Sequence, residues 1–353
     1  MANFKIGNVT IKGISACVPS HVEENINLSV FKKGEAERVI AQTGIERKHK
    51  VKGFGVTASD LCEEAFEKLI EELGWERETI DVLAFVTLTP DYLEPPTGCI
   101  MHGRLKLPES CLTLDMSQGC PGWINGLATV SALVSCGGLK RAILLNGDTA
   151  TLMRSFYDKE SLPLFGDAGV ATALEFEDGA FGFEFDFGSR GKDWQAIYRP
   201  AGGFRQPIDE NALEFKKIGE HISRRDIDAV MDGMSVFSFG ISIGPKSVKT
   251  LCEAYQIDLN SIDYFIMHQA NQYLNEKIRK KLKIPVEKTP YSLKDYGNTS
   301  GASIPVTNVS QCHKQFAEEE LDIIACAFGV GLAWGSVHFK TKQIVCPKII
   351  YYE

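Results

Sequence analysis

Cys120, His268 and Asn298 are the three residues of this chain whose types and surroundings could together carry a reaction. Cys120 stands in SQGCPGWINGL, residues 117 to 127, ahead of a helical pattern. A thiol at a helix N-terminus is expected to ionise more readily than a free one, and the thiolate is the nucleophile. His268 closes the apolar run of IDYFIMHQAN, where an imidazole can donate to a developing oxyanion or exchange protons near neutral pH. Asn298, in YGNTSGAS, offers a neutral amide donor. Each also has a bland reading: a cysteine that fills core volume, a satisfied structural histidine, a helix cap. Only the set of three points to covalent catalysis.

The elements that would position them are legible in the patterning. Trp123, Ile124, Leu127, Val130 and Val134 fall on one broad helical face, so the helix after Cys120, running towards Cys136, is expected to be buried. Pro121 suits its first turn, where a missing N–H is no loss. The strand before it spans residues 111 to 116. Residues 56 to 86 read as a helix (Leu61, Ala65, Phe66, Leu69, Leu73), a turn at Gly74 and the strand VLAFVT. Residues 247 to 268 repeat that order, with Val248, Leu251 and Tyr255 on a helix before YFIMH. Ile262 lies 182 residues beyond Ile80 (262 − 80), and Ile324 of IIACAFG lies 181 beyond Ile143 of AILLNGD (324 − 143). Two agreeing offsets indicate a duplicated β/α unit. Continuous apolar strands alternating with helices predict sheets buried on both faces, hence an α/β fold layered α/β/α/β/α. The expected organisation is a first half over 1–175, a hairpin and irregular insertion over 176–225, and a second half over 226–353.

Composition narrows the function. A net charge of −8 on 353 residues, without long like-charge runs, argues against nucleic acid as a partner. No apolar run is long enough to span a bilayer, and the N-terminus lacks the features of a signal peptide, so a cytoplasmic protein is expected. Ten cysteines without a C-x-x-C pair read as reduced thiols, not as a disulfide framework or metal site. GISIGPKS (240–247) imitates the end of a P-loop and GVGLAWG (329–335) a dinucleotide fingerprint, but neither has the right glycine spacing and strand context.

The ordered set TGIERKH (43–49), Cys120 in its Gly/Pro setting, LFGDAGVA (164–171), MDGMSVF (231–237), HQAN (268–271), YGNTSGASIP (296–305) and AFGVGLAWGS (327–336) resembles the β-ketoacyl-acyl carrier protein synthase III branch of the thiolase-like condensing enzymes. The resemblance covers almost the whole chain. It implies a thiolase fold, a homodimer, and a Cys/His/Asn triad falling on Cys120, His268 and Asn298. The third position separates related branches, which carry a second His or a second Cys there. The implied reaction is decarboxylative Claisen condensation of an acyl group on Cys120 with a malonyl thioester, without cofactor or metal. The oxyanion would lie between the backbone N–H groups of Cys120 and Val330. Two other readings stay open on this fold: acyl transfer without decarboxylation, and an acyl-binding partner subunit without turnover. The pathway is also open between fatty-acid initiation and secondary metabolism.

The sequence departs from the family in places. Arg38 stands where an aromatic residue commonly stacks on the adenine of coenzyme A, Gln42 replaces an arginine, and Lys159 replaces another basic contact. Lys and Gln do not reproduce an arginine fork, so the acyl donor is either a differently bound coenzyme A thioester or acyl carrier protein. Pro95 takes the place of a bulky Phe in the segment that crosses the dimer in relatives, which with Phe165 lines the expected acyl pocket and predicts a primer longer than two carbons. On the helix after HQAN, Lys280 and Lys281 match carrier-protein docking positions, and Tyr273 replaces a docking arginine. A solvated basic face is the alternative.

Overall fold

Two mixed sheets organise the chain in the computed structural model, which describes residues 2–220 and 222–353. The first sheet runs in the order Ile350–Tyr352, Val9–Pro19, Ala168–Phe176, Arg141–Asp148, Val82–Val86, Leu112–Met116. The second runs Ala2–Ile6, Phe183–Ser189, Ala333–Lys342, Glu320–Gly329, Tyr264–Met267. Four strands in each follow one plan. Val9–Pro19, Ala168–Phe176 and Arg141–Asp148 are successively antiparallel, and Arg141–Asp148 then pairs parallel with Val82–Val86. Phe183–Ser189, Ala333–Lys342, Glu320–Gly329 and Tyr264–Met267 repeat the same sequence of orientations. The duplication read from the offsets is therefore a duplication of topology.

Three apolar clusters fix the layers. Between the sheets lie the helices Gly122–Val134 and Ser303–Glu318, whose Trp123, Ile124, Leu127, Ile304, Val309 and Phe316 pack with strand residues of both halves. The helix Ala58–Leu73 covers the outer face of the first sheet through Leu61, Phe66 and Leu69. The helices Gly233–Tyr255 and Gln272–Leu282 cover the second through Ile243, Leu251 and Ile278. The result is the five-layered α/β/α/β/α thiolase fold. The helix after Cys120 is buried on more than one face, because Gly126, Ala128 and Ser131 are buried along with the expected apolar residues. Gly126 allows this closeness: a Cβ there would sit 2.6 Å from a methyl of Leu144.

The halves exchange pieces. The N-terminal strand Ala2–Ile6 joins the second sheet and Ile350–Tyr352 joins the first. The segment 176–225 contributes Phe183–Ser189 to the second sheet and forms a small hairpin of Lys216–Gly219 with Ile222–Arg224. The helix expected around Val248 begins much earlier, at Gly233, and carries Pro245 inside it. A proline cannot donate to the carbonyl four residues back. That carbonyl, on Ile241, accepts instead from the Lys281 ammonium at 3.3 Å. GISIGPKS thus lies within a helix, away from any strand-to-helix turn, and Gly329–Leu332 bridges two antiparallel strands.

Candidate active site

Cys120 occupies the turn between the strand Leu112–Met116 and the helix Gly122–Val134. Gly122 N–H donates to Gly119 C=O at 2.7 Å, tightening that turn, and Pro121 sits at the N-cap position just outside the first helical residue. Against the thiol lies the loop Gly329–Val330–Gly331. A Cβ on Gly329 would fall 2.4 Å from Cys120 Sγ, so only glycine lets the loop approach this closely. The thiol does not ionise more readily than usual, contrary to the expectation from its helix. Burial pushes its pKa up, and the negative charge of Asp148 adds to this. The N–H groups of Val330 and of Cys120 itself, and the Arg154 guanidinium, act the other way but do not overcome the desolvation. The same N–H groups supply donors for negative charge formed beside the sulfur.

His268 follows the strand Tyr264–Met267, its N–H paired with Cys326 C=O at 2.8 Å and its C=O held by Asn275 Nδ2 at 3.0 Å. Its ring is buried, which lowers its pKa to about 4, so the imidazole is neutral at physiological pH. Nδ1 lies 2.7 Å from Ser303 Oγ. Ser303 Oγ already accepts from Gln269 N–H at 3.3 Å, so its own proton is free for Nδ1. With the Ser303 O–H donating to Nδ1, the ring hydrogen would sit on Nε2, as a donor.

Asn298 is locked to the segment around Phe165. Its N–H donates to Leu164 C=O at 2.8 Å, and its C=O accepts from Gly166 N–H at 3.1 Å. Its Oδ1 accepts from Ser300 N–H at 2.9 Å, which commits the amide oxygen and presents Nδ2–H as the available donor.

Cys120, His268 and Asn298 line one cavity of about 800 Å³, together with Val330, Phe165, Leu88 and Phe328. Arg38, Gln42 and Lys159 line the same cavity, with Lys159 drawn to Glu35 at 3.2 Å. Pro95 does not line it. The run from Tyr92 to Pro96 is exposed on the surface of the chain, so Pro95 could border an acyl pocket only in a second copy. Lys280 and Lys281 stand on the helix Gln272–Leu282, which begins at the cavity residues Asn271 and Leu274. Lys280 is 68% exposed and lies 3.7 Å from Glu276. Tyr273 stacks on Phe237 with centroids 5.6 Å apart.

Two residues escaped the sequence reading. Ser303, which orients His268, is inside YGNTSGASIP but gives no signal of that role. Arg154, in TLMRSF, is 6% exposed and lines the cavity over the ring of Phe165, 3.7 Å from its centroid.

Residues 114–191 match the family described as 3-oxoacyl-[acyl-carrier-protein (ACP)] synthase III, and residues 252–341 match that family's C-terminal region. A beta-ketoacyl-[acyl-carrier-protein] synthase III of Fusobacterium nucleatum is 30% identical over 335 residues, covering 94% of this chain and 98% of the relative. The crystal structure of a 3-oxoacyl-(acyl-carrier protein) synthase from Burkholderia xenovorans superposes with a TM-score of 0.93 at 34% identity, covering 99% of each chain. The priming β-ketosynthase of the R1128 polyketide pathway shares the fold, with a TM-score of 0.83 at 18% identity.

Proposed function

Because the chain belongs to the β-ketoacyl-[acyl-carrier-protein] synthase III family, we infer that it is an acyltransferase performing the initiating condensation of an acyl primer with a malonyl thioester, with Cys120 as nucleophile. In the first half-reaction Cys120 Sγ attacks the thioester carbonyl. A new C–S bond forms as the donor's C–S bond breaks, and the thiol proton ends on the departing thiol. His268, neutral and poor at holding a proton, carries it only in passing. The tetrahedral oxyanion is held between the N–H groups of Cys120 and Val330.

In the second half-reaction the malonyl thioester loses carbon dioxide and the bonding pair moves onto the enolate oxygen. His268 Nε2–H and Asn298 Nδ2–H donate to that oxygen. Two neutral donors suit this step, because they stabilise charge that develops in the transition state without first pairing with the substrate carboxylate. The enolate carbon then attacks the acyl carbonyl, the C–S bond to Cys120 breaks, and the departing thiolate takes up one proton from solvent. The observation that carries the reading is the convergence of Cys120, a neutral His268 and an amide with its oxygen already engaged on one cavity. Acyl transfer without decarboxylation remains the second reading, favoured by no separate observation. Incubation of the acylated enzyme with a malonyl thioester separates them: the condensing reading requires carbon dioxide release.

The malonyl donor is carried by acyl carrier protein, docked through Lys280 and Lys281 beside the cavity mouth, and the primer arrives on coenzyme A or a carrier protein. The protein acts in the cytoplasm as a homodimer, in which Pro95 reaches the partner's acyl pocket. Tyr92 and Leu93, 64% and 72% exposed in the isolated chain, support such a contact. Light scattering reads the dimer, and a loading series of C2 to C10 primers reads the pocket length. Faster loading of acetyl than of C6 to C10 chains would overturn the longer-primer expectation.

A further inference from the structure

No bond-making step of the condensation uses Arg154, yet it sits in the acyl cavity close enough to Cys120 for the two charges to interact. Its Nε and Nη1 are buried with no hydrogen-bond partner among the described residues. The carboxylates around it do not fill these donors. Asp158 accepts from Arg224 at 2.7 Å and from Ser161 at 2.5 Å, while Asp148 Oδ1 accepts from Leu88 N–H at 2.7 Å and Thr87 at 3.0 Å, and Asp148 Oδ2, though buried, makes no hydrogen bond to Arg154 or any other described residue. Phe165 covers one face of the guanidinium and leaves its in-plane donors open. Burial lowers the Arg154 pKa only to about 10, so the group is a cation at neutral pH.

A buried cation with unfilled donors is expensive unless something completes it, and a planar fork is completed best by a carboxylate. The Cys120 thiolate is a poor candidate, because it is a single acceptor that already faces two backbone N–H groups. The malonyl carboxylate is a poor one as well. A guanidinium clamped on it would stabilise the ground state of decarboxylation and slow the loss of carbon dioxide. The remaining carboxylate is one at the far end of the primer.

We propose that Arg154 receives the terminal carboxylate of an ω-carboxyacyl primer, so that this enzyme loads the monothioester of a short dicarboxylic acid. The proposal rests on Cys120 being the acylated residue. A site built around a hydrogen-bonded group discriminates strongly against the analogue that lacks it.

The test is loading of the full-length protein with matched pairs, succinyl- against butyryl-coenzyme A and glutaryl- against pentanoyl-coenzyme A. Intact mass gives the rate and peptide mapping the site. The wild type is expected to load the carboxylated member of one pair at least about tenfold faster by kcat/KM, with Arg154→Leu reversing the order and Arg154→Lys keeping part of the preference. Iodoacetamide alkylation across pH serves as the control for an effect on the thiol. Loading of alkyl primers alone overturns this proposal and leaves the condensing function standing. A shifted alkylation profile with both members of a pair slowed equally by Arg154→Leu also overturns it, making Arg154 a modulator of the thiol. If Arg154→Leu does not fold, the wild-type preference decides. No Cys120 adduct from any thioester would overturn both readings, which keeps the two failures apart.

Discussion

Replacing Gly329 by Ala tests the oxyanion loop through a single methyl group. The new Cβ would lie 2.4 Å from Cys120 Sγ and 2.7 Å from its Cβ, against 3.4–4 Å for ordinary contact. Cys120 is anchored by its turn and by a helix packed between two sheets, so the loop must give way. Moving it carries the Val330 N–H off the position where the oxyanion forms. Loss of one such donor costs about 10²–10³ in kcat, or roughly 3–4 kcal/mol of transition-state stabilisation. The overpacking itself should cost about 1–3 kcal/mol of stability. Rapid-quench acylation read by intact mass, with thermal melting beside it, is the assay. The expected result is acylation slowed by at least about a hundredfold in a folded protein with a lowered Tm. Acylation within threefold of wild type at an unchanged Tm would refute the placement of this loop against the sulfur.

Other outcomes follow from the same geometry. Asn298→Ala should load acyl groups at nearly the normal rate but release carbon dioxide from a malonyl thioester about 10²–10³ more slowly; equal losses in both steps would mean a structural role. Because burial raises the Cys120 pKa above the usual 9.0, alkylation of Cys120 should climb about tenfold per pH unit between pH 6 and 8. A plateau already at pH 7 would show a thiolate at rest. Lys280→Glu combined with Lys281→Glu should raise KM for malonyl-acyl carrier protein and leave turnover of malonyl-coenzyme A unchanged. Since Lys281 also serves the Ile241 carbonyl, melting curves accompany that variant, and a parallel loss with both donors would remove the docking assignment.

Local patterning exposed what depends on local order. The two offsets located paired strands of the duplicated sheets, because each repeat buries its own apolar run. Cys120, His268 and Asn298 were grouped by the family resemblance and not by periodicity, and the fold brings all three to one cavity. What the sequence concealed depends on distant partners. Nothing in Ala2–Ile6 says that it pairs with Phe183–Ser189 in the opposite half. Pro245 looks like a helix boundary until Lys281, from another helix, is seen to satisfy the carbonyl it strands. The upward shift of the Cys120 pKa is a desolvation effect, and spacing along the chain carries no measure of burial depth. Arg154 is a lone arginine in an ordinary segment, and only the fold places it beside the thiol.

The most direct test is a single-turnover experiment on the unmodified protein. Exposed Cys99 and Cys136 serve as internal controls for nonspecific labelling. After acylation by a thioester and removal of excess donor, peptide mapping should find the acyl group on Cys120. Addition of a malonyl thioester should discharge it with one carbon dioxide released per β-ketoacyl product. An acyl group found on another cysteine, or a discharge from Cys120 without carbon dioxide, would contradict condensation at this site.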